Sequence, residues 1–300
     1  MSDKNLIVVT GPTAVGKTAL TIRLARELST EIISADSRQF YREMSIGTAK
    51  PTPEELAQVP HHFINSHAVD DECSAGEFES ATLKLLKVLF GQYDSVIMTG
   101  GSGLYINAVT AGLPDIPKGR EVTREVLNRE LADNGLAPLL EELQATDPIY
   151  YQEVDTHNPQ RVIRALEVIR DTGIPFSEFR KGSVTKRPFN IIKIGLSRDR
   201  DELYERINQR VDAMVAQGLL EEVRALLPYR HLQALQTVGY KEVFDYLDDQ
   251  YTWQETVELI KRNTRRYAKR QMTWFRKDAE MAWFSPEDYD KIKAYVCSKV

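Results

Sequence analysis

The first hundred residues alternate short apolar runs with helix-patterned stretches. Leu6 to Thr10 is a run short enough for a strand buried on both faces, followed by a glycine-bearing turn and a helix from about Lys17 to Leu28. Glu31 to Ala35 is a second strand ending at Asp36 and Ser37. Phe78 to Phe90 carries helical periodicity, with Phe78, Leu85, Leu86 and Leu89 on or near one face. Asp94 to Thr99 is a further strand, after which Gly100-Gly-Ser-Gly103 opens a helix at Leu104. Strands alternating with helices predict a parallel sheet covered by helices on both faces.

From Gly112 the texture changes. Leu113-Pro-Asp-Ile-Pro-Lys-Gly119 reads as a connector, polar helices follow to about Thr172, and strand character returns only at Phe189 to Leu196. The predicted organisation is therefore an α/β core of residues 1–113 and 188–300, interrupted by a helical insertion over 114–187. The last hundred residues read as helices.

Composition fits a globular protein of 300 residues, 42% apolar and 28% charged. The N-terminal apolar run is too short for a signal peptide or a membrane span. Cys73 and Cys297 stand far apart with no C-x-x-C partner, which predicts free thiols in a reducing cytoplasm. The net charge of −5 argues weakly against nucleic acid, but phosphate backbones respond to local patches rather than to averages.

Gly11-Pro-Thr-Ala-Val-Gly-Lys-Thr18 matches G-x-x-x-x-G-K-[ST], and it lies where that motif works, after a strand and opening a helix. The loop of Gly11, Pro12, Thr13, Ala14, Val15 and Gly16, with the backbone N–H groups it has turned inward, forms the expected phosphate cradle. Lys17 adds a full charge, and the Thr18 hydroxyl is placed to ligate Mg²⁺. The motif specifies phosphate without saying whose. An acid at the end of a neighbouring apolar strand, usual in nucleotide hydrolases, is missing, because Ser95-Val-Ile-Met-Thr99 runs into Gly100-Gly-Ser-Gly103. Asp36 is the nearest suitable carboxylate. At the carboxyl end of a parallel strand it faces the same crevice, where it could reach Mg²⁺ through water or act as a general base.

Two basic segments complete the candidates. Arg206 and Arg210 lie four apart on one helical face, open either to phosphate or to bridges with Glu202 or Glu205. Residues 261–277 hold eight Lys or Arg and no acid. On a helix, Arg262, Arg266 and Arg270 form one row and Lys261, Arg265 and Lys269 the next, with Tyr267, Trp274 and Phe275 interleaved. Such a face suits a phosphodiester backbone. His61 and His62 point in different directions and no third ligand is spaced to join them, so they read as structural.

Taken together, several blocks resemble the bacterial tRNA dimethylallyltransferase family: Ala35-Asp-Ser-Arg-Gln-Phe-Tyr41, Ile46-Gly-Thr-Ala-Lys50, Pro60-His-His-Phe63 and Gly100-Gly-Ser-Gly-Leu-Tyr105. The likeness continues through 157–167, 237–242 and 264–276, in the family's order. It implies a P-loop NTPase-like core, Mg²⁺, and transfer of a dimethylallyl group from dimethylallyl diphosphate to N6 of adenine-37 in tRNA. By that resemblance Asp36 receives the N6 proton, and one of Arg206 and Arg210 clamps the diphosphate opposite the P-loop. Ser37, Arg38, Gln39 and Ser102 line the entrance for an adenine flipped from its stack. Gln160, Arg161, Val162, Ile163 and Arg164 of the insertion, with Arg124, meet the anticodon stem-loop. The main alternative is a P-loop kinase of a small nucleoside or metabolite, with ATP in the loop and Asp36 as base. Nothing in the sequence demands more than a monomer.

Overall fold

A computed structural model describes residues 4–180 and 185–300. β1 (Asn5–Thr10) leads through the Gly11–Gly16 loop into α1 (Lys17–Glu27) and β2 (Ile32–Ser34). The short α2 (Pro53–Leu56) and the two-residue β3 (His61–His62) precede α3 (Ala75–Leu89), β4 (Ser95–Gly100) and α4 (Gly103–Ala111). Five helices follow: α5 (Glu121–Asn134), α6 (Ala137–Thr146), α7 (Pro148–Glu153), α8 (Pro159–Thr172) and α9 (Phe176–Phe179). The chain then returns through β5 (Asn190–Leu196), α10 (Arg200–Ala216), α11 (Leu219–Ala225), α12 (Tyr240–Leu247) and α13 (Trp253–Phe275). It ends with β6 (Ala282–Phe284) and α14 (Tyr289–Cys297).

All six strands run parallel in the order β3-β2-β4-β1-β5-β6. β1 sits between β4 and β5, pairing Asn5 with Ser95 on one side and with Asn190 on the other. Because side chains alternate along a strand, Ile7 and Val9 enter one core with α1 and α14, while Leu6 and Val8 enter another with Phe40, Phe78 and Leu86. Burying each such side chain contributes about 1.5–3 kcal/mol relative to leaving it exposed. The sheet therefore has apolar cover on both faces, and its strand ends are left to carry chemistry.

The segment read as wholly helical near the C-terminus contains a strand. β6 pairs with β5 through Ala282, Trp283 and Phe284. Three residues are too few to display an alternation, and Gly195 on β5 creates the room: a Cβ there would lie 2.7 Å from the Trp283 ring. β3 was equally unreadable. His62 Nε2 meets Glu31 Oε2 at 2.6 Å and His61 Nδ1 meets the Val59 carbonyl at 2.7 Å, so both rings have local partners at the sheet edge.

The contacts divide the chain into two compact units, residues 1–111 with 187–300, and residues 112–186. The sequence reading drew the second unit at 114–187. Within it, Leu127, Leu139, Leu143, Val162, Ile163 and Leu166 form a core of their own. Asp147 is buried there, accepting hydrogen bonds from the Tyr150 and Ser177 amides and from the Ser177 hydroxyl. Where the first unit resumes, Arg187 donates to the Ala108 and Val109 carbonyls and pairs with Glu79. Among the described residues no helix is long and apolar enough to cross a membrane.

Candidate active site

The loop between β1 and α1 is held open by its own conformation and by cations outside it. Gly11, Ala14 and Gly16 have positive φ, at 150°, 64° and 112°, and glycine tolerates this where most residues do not. Lys17 Nζ donates to the Gly11 and Pro12 carbonyls at 2.9 Å each. Arg206 Nε donates to the Ala14 carbonyl at 2.9 Å, and Arg198 Nε to the Val15 carbonyl at 2.8 Å. Four carbonyls are thus turned toward positive charge. Among the described residues the N–H groups of Gly16, Lys17 and Thr18 make no hydrogen bond to the protein. They lie at the N-terminus of α1, where unpaired amides and the helix dipole favour an anion.

Asp36 stands at the carboxyl end of β2, two strands from β1. Its Oδ1 accepts the Arg38 amide at 3.1 Å and its carbonyl accepts the Gln39 amide, so the residue is locked in a tight turn. The turn is buttressed from β4: Ser102 Oγ accepts the Ser37 amide at 3.0 Å and donates to Ser37 Oγ at 3.1 Å. Gln39 spends its side-chain amide on the Thr48 and Ala49 carbonyls. Gly100 is required here, because a Cβ would come within 2.2 Å of the Ala35 carbonyl oxygen.

Charge ties these parts into one cleft. Burial holds Lys17 down at about 8, against a raising influence from Asp36 and a lowering one from Arg210. Arg210 is likewise depressed, first by burial and then by Arg206, while Asp36 opposes. Lys17, Asp36 and Arg210 therefore share one local field. Arg210 Nη1 also donates to Thr13 Oγ1 at 3.2 Å. The bridges to Glu202 and Glu205 that spacing left open do not form: Glu202 pairs with Arg198, and Glu205 accepts from Gln209. Both arginines face the P-loop, Arg206 with an exposed side chain, Arg210 half-buried.

The donors suit a hard cation. Thr18 offers a hydroxyl that makes no protein hydrogen bond among the described residues, in a cleft whose other oxygen ligands would come from phosphate and water. That is the mode Mg²⁺ prefers over an all-protein cage, and no cluster of three or more His, Cys, Asp or Glu competes among those residues.

The IPP transferase family profile matches residues 39–278. A tRNA dimethylallyltransferase 1 of Phocaeicola vulgatus is 49% identical over 293 residues, covering 98% of each chain. Bacteroides fragilis has a tRNA dimethylallyltransferase 1 that is 48% identical over the full length of both. The crystal structure of the Bacillus halodurans tRNA isopentenylpyrophosphate transferase matches with a TM-score of 0.73 at 40% identity, covering 99% of this chain and 96% of that one. A eukaryotic dimethylallyltransferase described as acting on tRNA matches with a TM-score of 0.80 at 25% identity, 99% of this chain covering 77% of that one.

The chain belongs to the IPP transferase family. The kinase alternative gains nothing from these relatives, and the parallel sheet with its P-loop is the arrangement expected of an IPP transferase. Its basic helix α13 separates into two rows. Lys261 pairs with Asp212 at 2.8 Å and Arg265 donates to Asn208 at 2.6 Å, so two residues of one row are engaged with α10. Arg262, Arg266 and Arg270 stay exposed, the last with its guanidinium carbon 5.8 Å from the Tyr267 ring centroid. Trp274, 38% exposed, rests against Gly103 so closely that a Cβ there would be 2.2 Å from its Nε1.

In the insertion, Gln160 and Arg161 are exposed at the start of α8. Val162 and Ile163, in the same expected RNA-contacting stretch, are buried, 0% and 2% exposed, with their side chains in the insertion's own core, which leaves only their backbone to face RNA. The helical period turns them inward wherever Arg161 faces out. Arg124 and Arg164 are both bound to the buried Glu167, at 3.0 and 3.2 Å. Sequence reasoning missed Gln271, a polar side chain on the buried stripe of α13 beside Ile260, Ala268 and Phe275. That misplacement was its one visible signal. It also missed Arg198, whose role depends on a contact with no local pattern.

Proposed function

We propose that this protein transfers a dimethylallyl group from dimethylallyl diphosphate to N6 of adenine-37 in tRNA. The observation that carries the reading is a P-loop bonded by Lys17 and by Arg210 at Thr13, with Asp36 near enough to act on the charge of both and no acid at the end of β4 for nucleotide hydrolysis.

The allylic C–O bond breaks as N6 forms a bond to the same carbon, and diphosphate departs. The amides of Gly16, Lys17 and Thr18, with the Lys17 ammonium, stabilise the charge that builds on it. Arg210 completes the clamp from the other side. Arg206, already fixed to the Ala14 carbonyl, keeps the loop in shape. Asp36 orients the N6 amine, whose lone pair is delocalised into the ring, and takes its proton. Mg²⁺, held by Thr18 and phosphate oxygens, would neutralise diphosphate charge.

An adenine cannot meet a buried allyl carbon while stacked, so it enters extruded, past Ser37, Arg38, Gln39 and Ser102. The exposed row Arg262, Arg266 and Arg270 carries the RNA backbone, and Gln160, Arg161, Arg164 and Arg124 of the insertion meet the anticodon stem-loop. For the last two this requires RNA phosphate to compete with Glu167 for the guanidinium groups. A tRNA substrate fits action in the cytoplasm, and the proposed chemistry asks for no second subunit.

Calorimetric titration separates this reading from the kinase. Dimethylallyl diphosphate with Mg²⁺ binds at one site per chain, and Lys17→Ala abolishes the heat. Tight ATP binding with no response to the isoprenoid would sink it.

A further inference from the structure

The diphosphate cradle and the acceptor wall belong to different strands, so something must fix the gap between them. We infer that Gln271 is the positioning residue that sets this gap. Its side chain is only 6% exposed. Oε1 accepts the Thr13 amide at 2.9 Å, and Nε2 donates to the Gly101 carbonyl at 3.0 Å. Thr13 belongs to the loop after β1 and Gly101 to the turn after β4. One planar amide therefore clasps both. The partners also fix which way it faces, since an N–H must meet Oε1 and a carbonyl must meet Nε2.

The clasp continues to the acceptor wall. Ser102, next to Gly101, holds the Ser37 amide beside Asp36. The chain of bonds thus runs from Thr13 through Gln271, Gly101, Ser102 and Ser37 to Asp36. Tyr267 lies one turn earlier on α13, and its phenol is pushed up by burial and by Asp36. Gly101 is shaped for the arrangement: a Cβ would lie 2.3 Å from Gln271 Nε2. Because Thr13 N–H is committed to Gln271, it is not a phosphate donor, and removing Gln271 leaves the amides of Gly16 to Thr18 in place.

The consequence follows from how steeply displacement depends on geometry. Reacting atoms must approach to about 3–3.5 Å in line, and a misplacement of about 1 Å costs on the order of a hundredfold in rate. Gln271 touches neither diphosphate nor adenine in this account. It acts through the two loops, and its loss leaves each substrate bound but badly opposed. The inference rests on the prenyl-transfer reading above.

The test compares Gln271→Leu, Gln271→Glu and Gly101→Ala, the last breaking the same clasp from the other side if a Gln271 variant fails to fold. Single-turnover transfer is measured with dimethylallyl diphosphate, Mg²⁺ and tRNA all saturating. Affinities for inorganic pyrophosphate and for tRNA are measured separately. We expect the saturated rate to fall about a hundredfold while both affinities stay within about threefold. Gln271→Glu does not rescue it, because a carboxylate cannot donate to the Gly101 carbonyl. Gly101→Ala combined with Gln271→Leu is no slower than the worse single variant. An unchanged saturated rate, or a loss confined to pyrophosphate affinity, overturns the inference. Absence of transfer by the unsubstituted protein would instead overturn the functional reading on which it stands.

Discussion

In the proposed reaction Asp36 and Lys17 serve different substrates, and that difference separates their variants. Asp36 is needed most as the N6 proton leaves, so Asp36→Asn should lower the saturated rate by about 10²–10⁴-fold while tRNA and pyrophosphate affinities hold. Equal losses in affinity would reassign it to binding. In the same reading Lys17 meets the diphosphate from the first encounter, and burial holds it down at about 8. As pH rises past that value the free protein loses the ammonium, so pyrophosphate affinity should weaken about tenfold per pH unit above it. Titration calorimetry from pH 7 to 9.5 checks this, and a flat profile contradicts the role. Arg210, sharing the field of Lys17 and Asp36, should matter more than Arg206: Arg210→Gln should weaken pyrophosphate binding further than Arg206→Gln, by about 1.5–3 kcal/mol for one lost charge-assisted contact. At this scale the P-loop was legible because its residues are contiguous, and Asp36 because it ends a strand. Gln271 was not, since its partners Thr13 and Gly101 are 258 and 170 positions away.

Helices α8 and α13 each mix core and surface duties, and their period sorts the residues. On α13 the exposed row Arg262, Arg266 and Arg270 is the proposed electrostatic footprint for RNA, whereas Lys261 and Arg265 are engaged with α10. Neutralising Arg262 and Arg266 together should flatten the dependence of log K for tRNA on log salt by about one unit per residue, with pyrophosphate binding untouched. An unaltered slope in filter-binding titrations would remove this face from the RNA interface. On α8, Ile163→Ala should destabilise the fold by about 2–5 kcal/mol, as a buried aliphatic truncation does. Thermal denaturation reads that directly, and a loss of tRNA affinity without loss of stability would restore Ile163 to the interface. The sequence block 157–167 could not make this division by resemblance alone. Its helical period could have, because Val162, Ile163, Ala165 and Leu166, between and after the two arginines, are all apolar.

Across the whole molecule, alternation of buried runs and helices was enough to expect a parallel sheet, and the ends of that sheet are where the chemistry gathers. The short strands escaped notice because β3 and β6 have two and three residues, too few for any period. A net charge of −5 hides both the basic run on α13, which the sequence itself displays, and the arginines gathered around the P-loop, which only the folded chain displays. The account joins a diphosphate cradle and a proton acceptor across one cleft. Mass analysis of tRNA nucleosides after incubation with the protein, Mg²⁺ and dimethylallyl diphosphate tests that junction most directly. It predicts adenosine carrying an added isopentenyl group with the unsubstituted protein, and almost none with Asp36→Asn at equal tRNA occupancy. Unmodified adenosine in both, or equal product from both, contradicts it.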